Sequence, residues 1–487
     1  MLTRRLIIVV CCAACFVTRA AAQTTPQAPA APTPPPMVGR PPSPAEELPR
    51  GQLIESVATL RDPSQTYALY LPSNYTPARR WPTVYCFDPL ARGAVPVRLF
   101  REAAERFGWV VVGSNNSRNG PANVSLTAAA AMLEDTQARL AVEPGRVYIT
   151  GFSGGARLAN RLQRLCGNCF AGVIAVGAGY PPDLKPSAPV TFALFGFAGR
   201  DDYNFPEMKA LDAELTRLGA RRRFESFDGG HAWPPKELIA TAVEWMELEA
   251  VRSGKREGGE GFAAGVWERR LSEARRLEAD SKAYAAFRAY ESLTSDFRGL
   301  RDISEAERRL ASLGAEKEVK AALKDESEQM RRQERLVSEL FELAGKRKAD
   351  FEVSTQAAAD FRQRLDGLRA KAKAEADSGE RRVARRVLNQ VAAYFYETAG
   401  NLRQRRARGS EVVAALEVAA EVAPHSPQIF YELAVAHAEN SDRKKALSAL
   451  RTAFELGFKD AAALEREHAL DALRGEAEFK RLVEGLR

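Results

Sequence analysis

Histidine is scarce in this chain. There are four in 487 residues, and three of them, His425, His437 and His468, lie near the C-terminal end. Chemistry that needs an imidazole in the first half of the chain therefore has one residue to use, His231. Cysteine is also sparse: of six, three sit in the first fifteen residues, leaving Cys86, Cys166 and Cys169. A zinc site built on Cys166-Gly167-Asn168-Cys169 would need two further ligands that are not there, and the context is not that of a thioredoxin-like redox motif. These residues read as a local disulfide or as two reduced buried thiols, and Cys86, within an apolar strand, as inert core. No metal and no cofactor is expected. A net charge of +8 is mild for this length. The basic clusters (Arg221-Arg222-Arg223; Arg403, Arg405, Arg406, Arg408) lack an aromatic stacking platform, which argues against nucleic acid as a partner.

Long apolar runs are missing except at the start. Arg4-Arg5 precede a run from Leu6 to Val17, too short to span a bilayer, which ends in Ala20-Ala21-Ala22-Gln23. That is the basic, apolar and small-residue order of a secretory signal peptide, 1–22, cleaved after Ala22, with no transmembrane span left afterwards. The expected address is periplasmic or secreted. Residues 23–50 are rich in Pro, Ala and Thr, cannot bury a core, and read as an extended linker.

Strand signals vanish after about Arg252. A polar, glycine-rich linker (253–262) separates residues 51–252 from a helical region (263–487) of Ala, Leu, Glu, Lys and Arg. Its helices are broken near Asp302, Gly314, Gly379, Gly409 and Pro424. The Lys/Arg/Glu-dense stretch Glu316 to Lys346 reads as a solvated amphipathic helix. Near 427–460 the chain resembles a tetratricopeptide repeat: Phe430, Leu433, Ala434, His437, Ala446, Leu450 and Ala453 stand at its packing offsets, with Phe458 where proline is usual. One such repeat cannot bury its face alone. An all-α array of irregular helical pairs, able to dock a protein partner, is expected.

The most informative segment is Arg146-Val147-Tyr148-Ile149-Thr150 running into Gly151-Phe152-Ser153-Gly154-Gly155. A β-branched strand, G-x-S-x-G and a helical stretch in succession are the context of a nucleophile elbow. The turn strains the backbone at the serine and needs small neighbours. A serine hydroxyl needs a base and an orienting acid. His231, in the loop Phe227-Asp228-Gly229-Gly230-His231, supplies the base. The acid should stand between them at a strand's C-terminal end, and the apolar run Val190 to Phe197 leads to both Asp201 and Asp202. On the residues alone the two are equivalent.

Residues from about 60 to 250 resemble an α/β-hydrolase of the group that includes polyhydroxybutyrate depolymerases, feruloyl esterases and dienelactone-hydrolase-like proteins. The resemblance implies a doubly wound α/β sheet and an esterase activity through an acyl-enzyme. It also implies an acid in a G-x-x-D pattern, which Gly199-Arg200-Asp201-Asp202 fits with Asp202. These families build the oxyanion hole from a His-Gly pair, whereas this chain has Phe87-Asp88-Pro89-Leu90. One donor is expected at the Gly154 N–H. The second cannot be Pro89, which leaves Leu90, with Asp88 close behind. An acidic side chain beside an oxyanion would oppose the developing charge, unless Asp88 turns away or pairs with Arg92.

Asn115, Asn116 and Arg118, in the loop after a probable strand (109–113), and Trp233, beside His231, are candidate pocket residues; an ordinary turn and simple packing are the competing readings. Only a short link separates the strand near 173–176 from the next, leaving no room for an inserted cap. An open site suited to a bulky or polymeric ester is therefore expected. The competing functions are a prolyl-oligopeptidase-like peptidase, whose propeller is not evident, and a catalytically idle fold serving as a scaffold.

Overall fold

The computed structural model describes residues 48–346 and 351–484. The leader-like segment (1–22) and most of the Pro/Ala-rich stretch (23–50) lie outside them. Eight strands form one sheet: β1 (Leu53–Ala58), β2 (Thr66–Tyr70), β3 (Trp81–Phe87), β4 (Val110–Ser114), β5 (Val142–Phe152), β6 (Gly172–Val176), β7 (Ala193–Gly199) and β8 (Arg222–Phe227). Their order is β1-β2-β4-β3-β5-β6-β7-β8. The pairs β1–β2 and β2–β4 are antiparallel, and every other neighbouring pair is parallel. This is the strand order of an α/β-hydrolase sheet. The strands β3, β4, β6 and β7 are buried along their whole length, as parallel strands covered on both faces must be, which is why they read as unbroken apolar runs.

Five helices provide that cover: α1 (Ala94–Phe107), α2 (Ala122–Arg139), α3 (Gly154–Cys166), α4 (Phe205–Arg217) and α5 (Lys236–Arg252). α1 and α5 bury Val97, Phe100, Ile239, Val243 and Met246 on one face. α2, α3 and α4 bury Met132, Leu162, Met208 and Leu211 on the other. A Cys166–Cys169 disulfide closes the end of α3, and Cys86 is a buried free thiol whose pKa is raised by burial.

The rest is helical: α6 (Gly259–Ala279), α7 (Ala283–Phe297), α8 (Ser304–Ala315), α9 (Lys317–Lys346), α10 (Phe351–Ala372), α11 (Gly379–Gln404), α12 (Gly409–Val422), α13 (Pro427–Glu439), α14 (Arg443–Glu455), α15 (Ala461–Arg466) and α16 (Ala477–Glu484), with a 3-10 turn at His468–Leu473. α11, α13 and α14 start at side-chain caps. Ser378, Ser426 and Asp442 each accept a backbone N–H from the following turn. α6 starts at Gly259, inside the stretch expected to be linker. A Cβ at Gly259 would lie 2.9 Å from Val251 Cγ1, so α6 packs directly on the end of α5 after a short turn. In the last helical hairpins Leu433, Ala434, His437, Ala446, Leu450 and Ala453 are buried. Phe458 stacks on Tyr431 with ring centroids 4.4 Å apart. Among the described residues no helix is long and apolar enough to cross a membrane.

One buried carboxylate ties the sheet to the helices. Asp296, at the end of α7, is 1% exposed. It accepts hydrogen bonds from Trp245 Nε1 of α5 at 2.7 Å, from Arg270 Nη1 of α6 at 2.7 Å, and from Arg223 of β8. Removing it would leave the Trp245 indole N–H without its partner and two half-buried guanidinium groups balanced only by Glu225 and Glu244. Asp296→Ala is therefore expected to cost about 3–5 kcal/mol, read as a shift of the denaturant midpoint. A loss within the range of a surface pair, about 1 kcal/mol or less, would show that the network does not hold the helices to the sheet.

Candidate active site

The site forms where β5 ends and α3 begins. Ser153 has φ +53° and ψ −119°, a strained conformation for a residue with a side chain, and it persists because its neighbours leave no alternative. A Cβ at Gly155 would come within 2.1 Å of the Phe87 carbonyl oxygen, and one at Gly151 within 2.2 Å of the Gly155 backbone. Glycine at both positions lets strand and helix close up, and the Ser153 side chain is left projecting above the carboxyl ends of the parallel strands. In open α/β sheets this is the edge where ligands bind.

Ser153 Oγ lies 2.8 Å from His231 Nε2. On the other side of the ring, His231 Nδ1 is 2.9 and 3.0 Å from the two carboxylate oxygens of Asp202. Asp202 is fully buried and also accepts the Asn204 N–H at 2.8 Å. Its loop is pinned to the His231 loop by Arg200 N–H to Phe227 O and Asp201 N–H to Gly229 O, both 2.8 Å. The imidazole packs between Phe152, 4.6 Å away, and Tyr203, 4.5 Å away. Desolvation and nearby carboxylates raise the Tyr203 hydroxyl pKa above its ordinary value. Asp201 neither caps a helix nor stands free in solvent: Arg385 of α11 donates to it at 2.9 Å.

The loop after β3 differs from the expectation. Asp88 is 1% exposed, with its carboxylate bound by Arg92 at 2.9 and 3.0 Å and by Trp233 Nε1 at 3.0 Å. Its charge is thus neutralised by Arg92. The Leu90 N–H donates to the same Asp88 carboxylate at 2.9 Å, so Leu90 is not a free second donor as expected. The Gly154 N–H heads α3, where helix geometry leaves it without an intrahelical acceptor. Asn119, which the sequence reading passed over, lies against Gly154: a Cβ there would fall 1.7 Å from Asn119 Oδ1. Loop position was the one available signal, since Asn119 belongs to the same Asn/Ser/Gly cluster as its neighbours.

Asn115 and Asn116 are structural. Asn115 Nδ2 donates to Glu55 O and Thr66 Oγ1, while Asn116 bridges the Thr66 N–H and the Ser64 carbonyl. They brace the β1–β2 hairpin rather than line the site. Arg118 is exposed and pairs through its backbone with Leu90 at the lip. Trp233 acts as a strut under the Asp88 loop, packed on Phe152 at 5.9 Å.

The expectation of an uncovered site is also corrected. Although no cap is inserted between β6 and β7, α9 and α11 reach the edge that carries Ser153 from the C-terminal region. Gln333 of α9 donates to the Tyr203 carbonyl at 2.9 Å, and Arg386 of α11 donates to the Arg200 carbonyl. Glu397 of α11 lies within electrostatic reach of Arg157 and His231. Nothing local in the sequence signals this cover.

No protein-family profile and no curated protein matches the chain in sequence. Solved structures with a similar fold include the S-formylglutathione hydrolase of Staphylococcus aureus (16% identical, 41% of this chain and 99% of that one, TM-score 0.35). A ferulic acid esterase is 14% identical over 39% of this chain and 95% of its own, with a TM-score of 0.33. A Pyrobaculum calidifontis esterase is 15% identical over 41% and 86%, with a TM-score of 0.34. Likeness at these levels carries no argument about chemistry, which rests on the geometry above.

The packing makes a distinction between two adjacent glycines. Gly155→Ala meets main chain and is expected to lose at least about 1–3 kcal/mol to overpacking. Gly154→Ala meets only the movable end of Asn119 and should fold with a near-native melting temperature. Thermal denaturation of both variants checks this, and equal melting temperatures would contradict it.

Proposed function

We propose that the protein is a serine hydrolase acting on carboxylic esters. The observation that supports this best is the continuous Ser153–His231–Asp202 hydrogen-bond chain ending on a fully buried carboxylate. In the proposed cycle His231 Nε2 takes the Ser153 proton as Oγ attacks the ester carbonyl, and Asp202 holds the ring through Nδ1–H and stabilises the imidazolium. The oxyanion is met by the Gly154 N–H at the helix N-terminus; the Leu90 N–H, engaged by Asp88, is not available as the second donor. Collapse breaks the ester C–O bond, and the alcohol leaves with the proton from His231. Water, deprotonated by the same imidazole, then attacks the acyl-enzyme, and the carboxylic acid departs as Ser153 regains its proton.

The wider reading places the enzyme in the periplasm or outside the cell, supported by the leader-like first 22 residues. It also gives the helical region a protein partner, supported by the buried tetratricopeptide-type offsets in α13 and α14. A catalytically idle fold is favoured by one feature, the engagement of the Leu90 N–H with Asp88. Turnover of p-nitrophenyl esters separates the two. Wild type should hydrolyse short acyl esters and Ser153→Ala should fall to background. Asp202→Asn should lower kcat by about 10⁴, while Asp201→Asn, whose partner is Arg385, should retain turnover. Turnover that survives Ser153→Ala would overturn the proposal.

A further inference from the structure

A cavity of about 1120 Å³ lies away from Ser153, bounded by the outer edge of β8, by α4 and α5, and by α6, α7, α9 and α11. Its walls carry ten arginine and lysine side chains against six carboxylates. Much of this charge is already matched. Glu244 is held by Arg269 and Arg270, and Glu225 by Arg223. Glu326 is bound by Lys209 and by the Tyr284 hydroxyl.

Arg386 stands apart. It is 2% exposed, lies 4.3 Å over the Phe205 ring, and donates from Nε to the Arg200 carbonyl. Among the described residues it forms no ion pair, and its Nη1 has no hydrogen-bond partner. Asp201, in the loop whose Arg200 carbonyl Arg386 binds, is paired with Arg385. Burial pushes its pKa down to about 10, and the carboxylates in electrostatic reach, Asp201, Glu326 and Asp202, offset this only in part. A buried guanidinium that no carboxylate bonds directly is costly to keep, and its planar fork suits oxyanions.

We propose that this cavity binds a compact multivalent anion bearing phosphate or carboxylate groups, seated on Arg386. Arg382, one turn away on α11, Arg200 and Lys209 supply the remaining positive charge. Arg382 and Arg200 now pair with Asp377 and Asp228, and Lys209 with Glu326. The Asp377 and Asp228 partners are exposed, and such pairs are weak enough to exchange for a ligand. The site lies beside the Gly199–Asp202 loop, through the Arg200 carbonyl that Arg386 holds.

Calorimetry of the full chain at fixed ionic strength, with pyrophosphate and citrate as probes, tests the site. Saturable binding of at least one probe is expected, weakened about tenfold or more by Arg386→Met and to a smaller degree by Arg382→Gln. Circular dichroism establishes that each variant is folded; should Arg386→Met fail, Arg382→Gln and Lys209→Met carry the comparison. Preference for pyrophosphate or for citrate identifies the anion class. No binding of either probe, or affinities unchanged in the folded variants, would overturn the proposal.

Discussion

The close approach of α3 to the sheet at Gly151 and Gly155 is the constraint on which the site depends. With glycine at both positions the helix N-terminus sits against the Phe87 carbonyl, and Ser153 is forced to positive φ. That single turn sets the height of Oγ above the sheet and the direction of the α3 dipole. It also places Phe152, on which both His231 and Trp233 pack. Trp233 in turn holds Asp88, and with it the loop that faces the serine. Movement of α3 by one side-chain radius would disturb every one of these contacts.

Around this turn the helical region takes the place of an inserted cap. Its hold on the sheet includes directional polar contacts: Asp296 gathers Trp245, Arg223 and Arg270, while Arg385 and Arg386 grip the loop that ends in Asp202. Such contacts need directional partners, so they fix the relative placement of the elements more tightly than an apolar face would. The helices that bury their own cores in pairs thus also shape the entrance to the serine.

What could be read from the sequence was local. The elbow was legible because strand, turn and helix follow one another within twenty residues, and the scarcity of histidine left His231 alone. The buried strands showed as apolar runs, although β7 begins at Ala193 rather than at Val190. The misreadings all involve distant or side-chain partners. Asn115 and Asn116 looked like pocket residues until Thr66 and Ser64, fifty residues upstream, claimed them. Leu90 looked like a free donor until the Asp88 carboxylate turned back onto its N–H. Asp201 and Asp202, equivalent on the residues alone, are told apart by distant partners, His231 for Asp202 and Arg385, 184 positions away, for Asp201. The cover over the site has no sequence signal because it comes from helices packed across the whole length of the protein.

The central claim is that Ser153 is an activated nucleophile. Its most direct test is to treat the full chain with a fluorophosphonate and locate the adduct by peptide mass spectrometry. A single phosphonylation on the peptide containing Ser153, absent after His231→Ala, is the predicted result. No adduct, or one that lies elsewhere and persists without His231, would contradict the account.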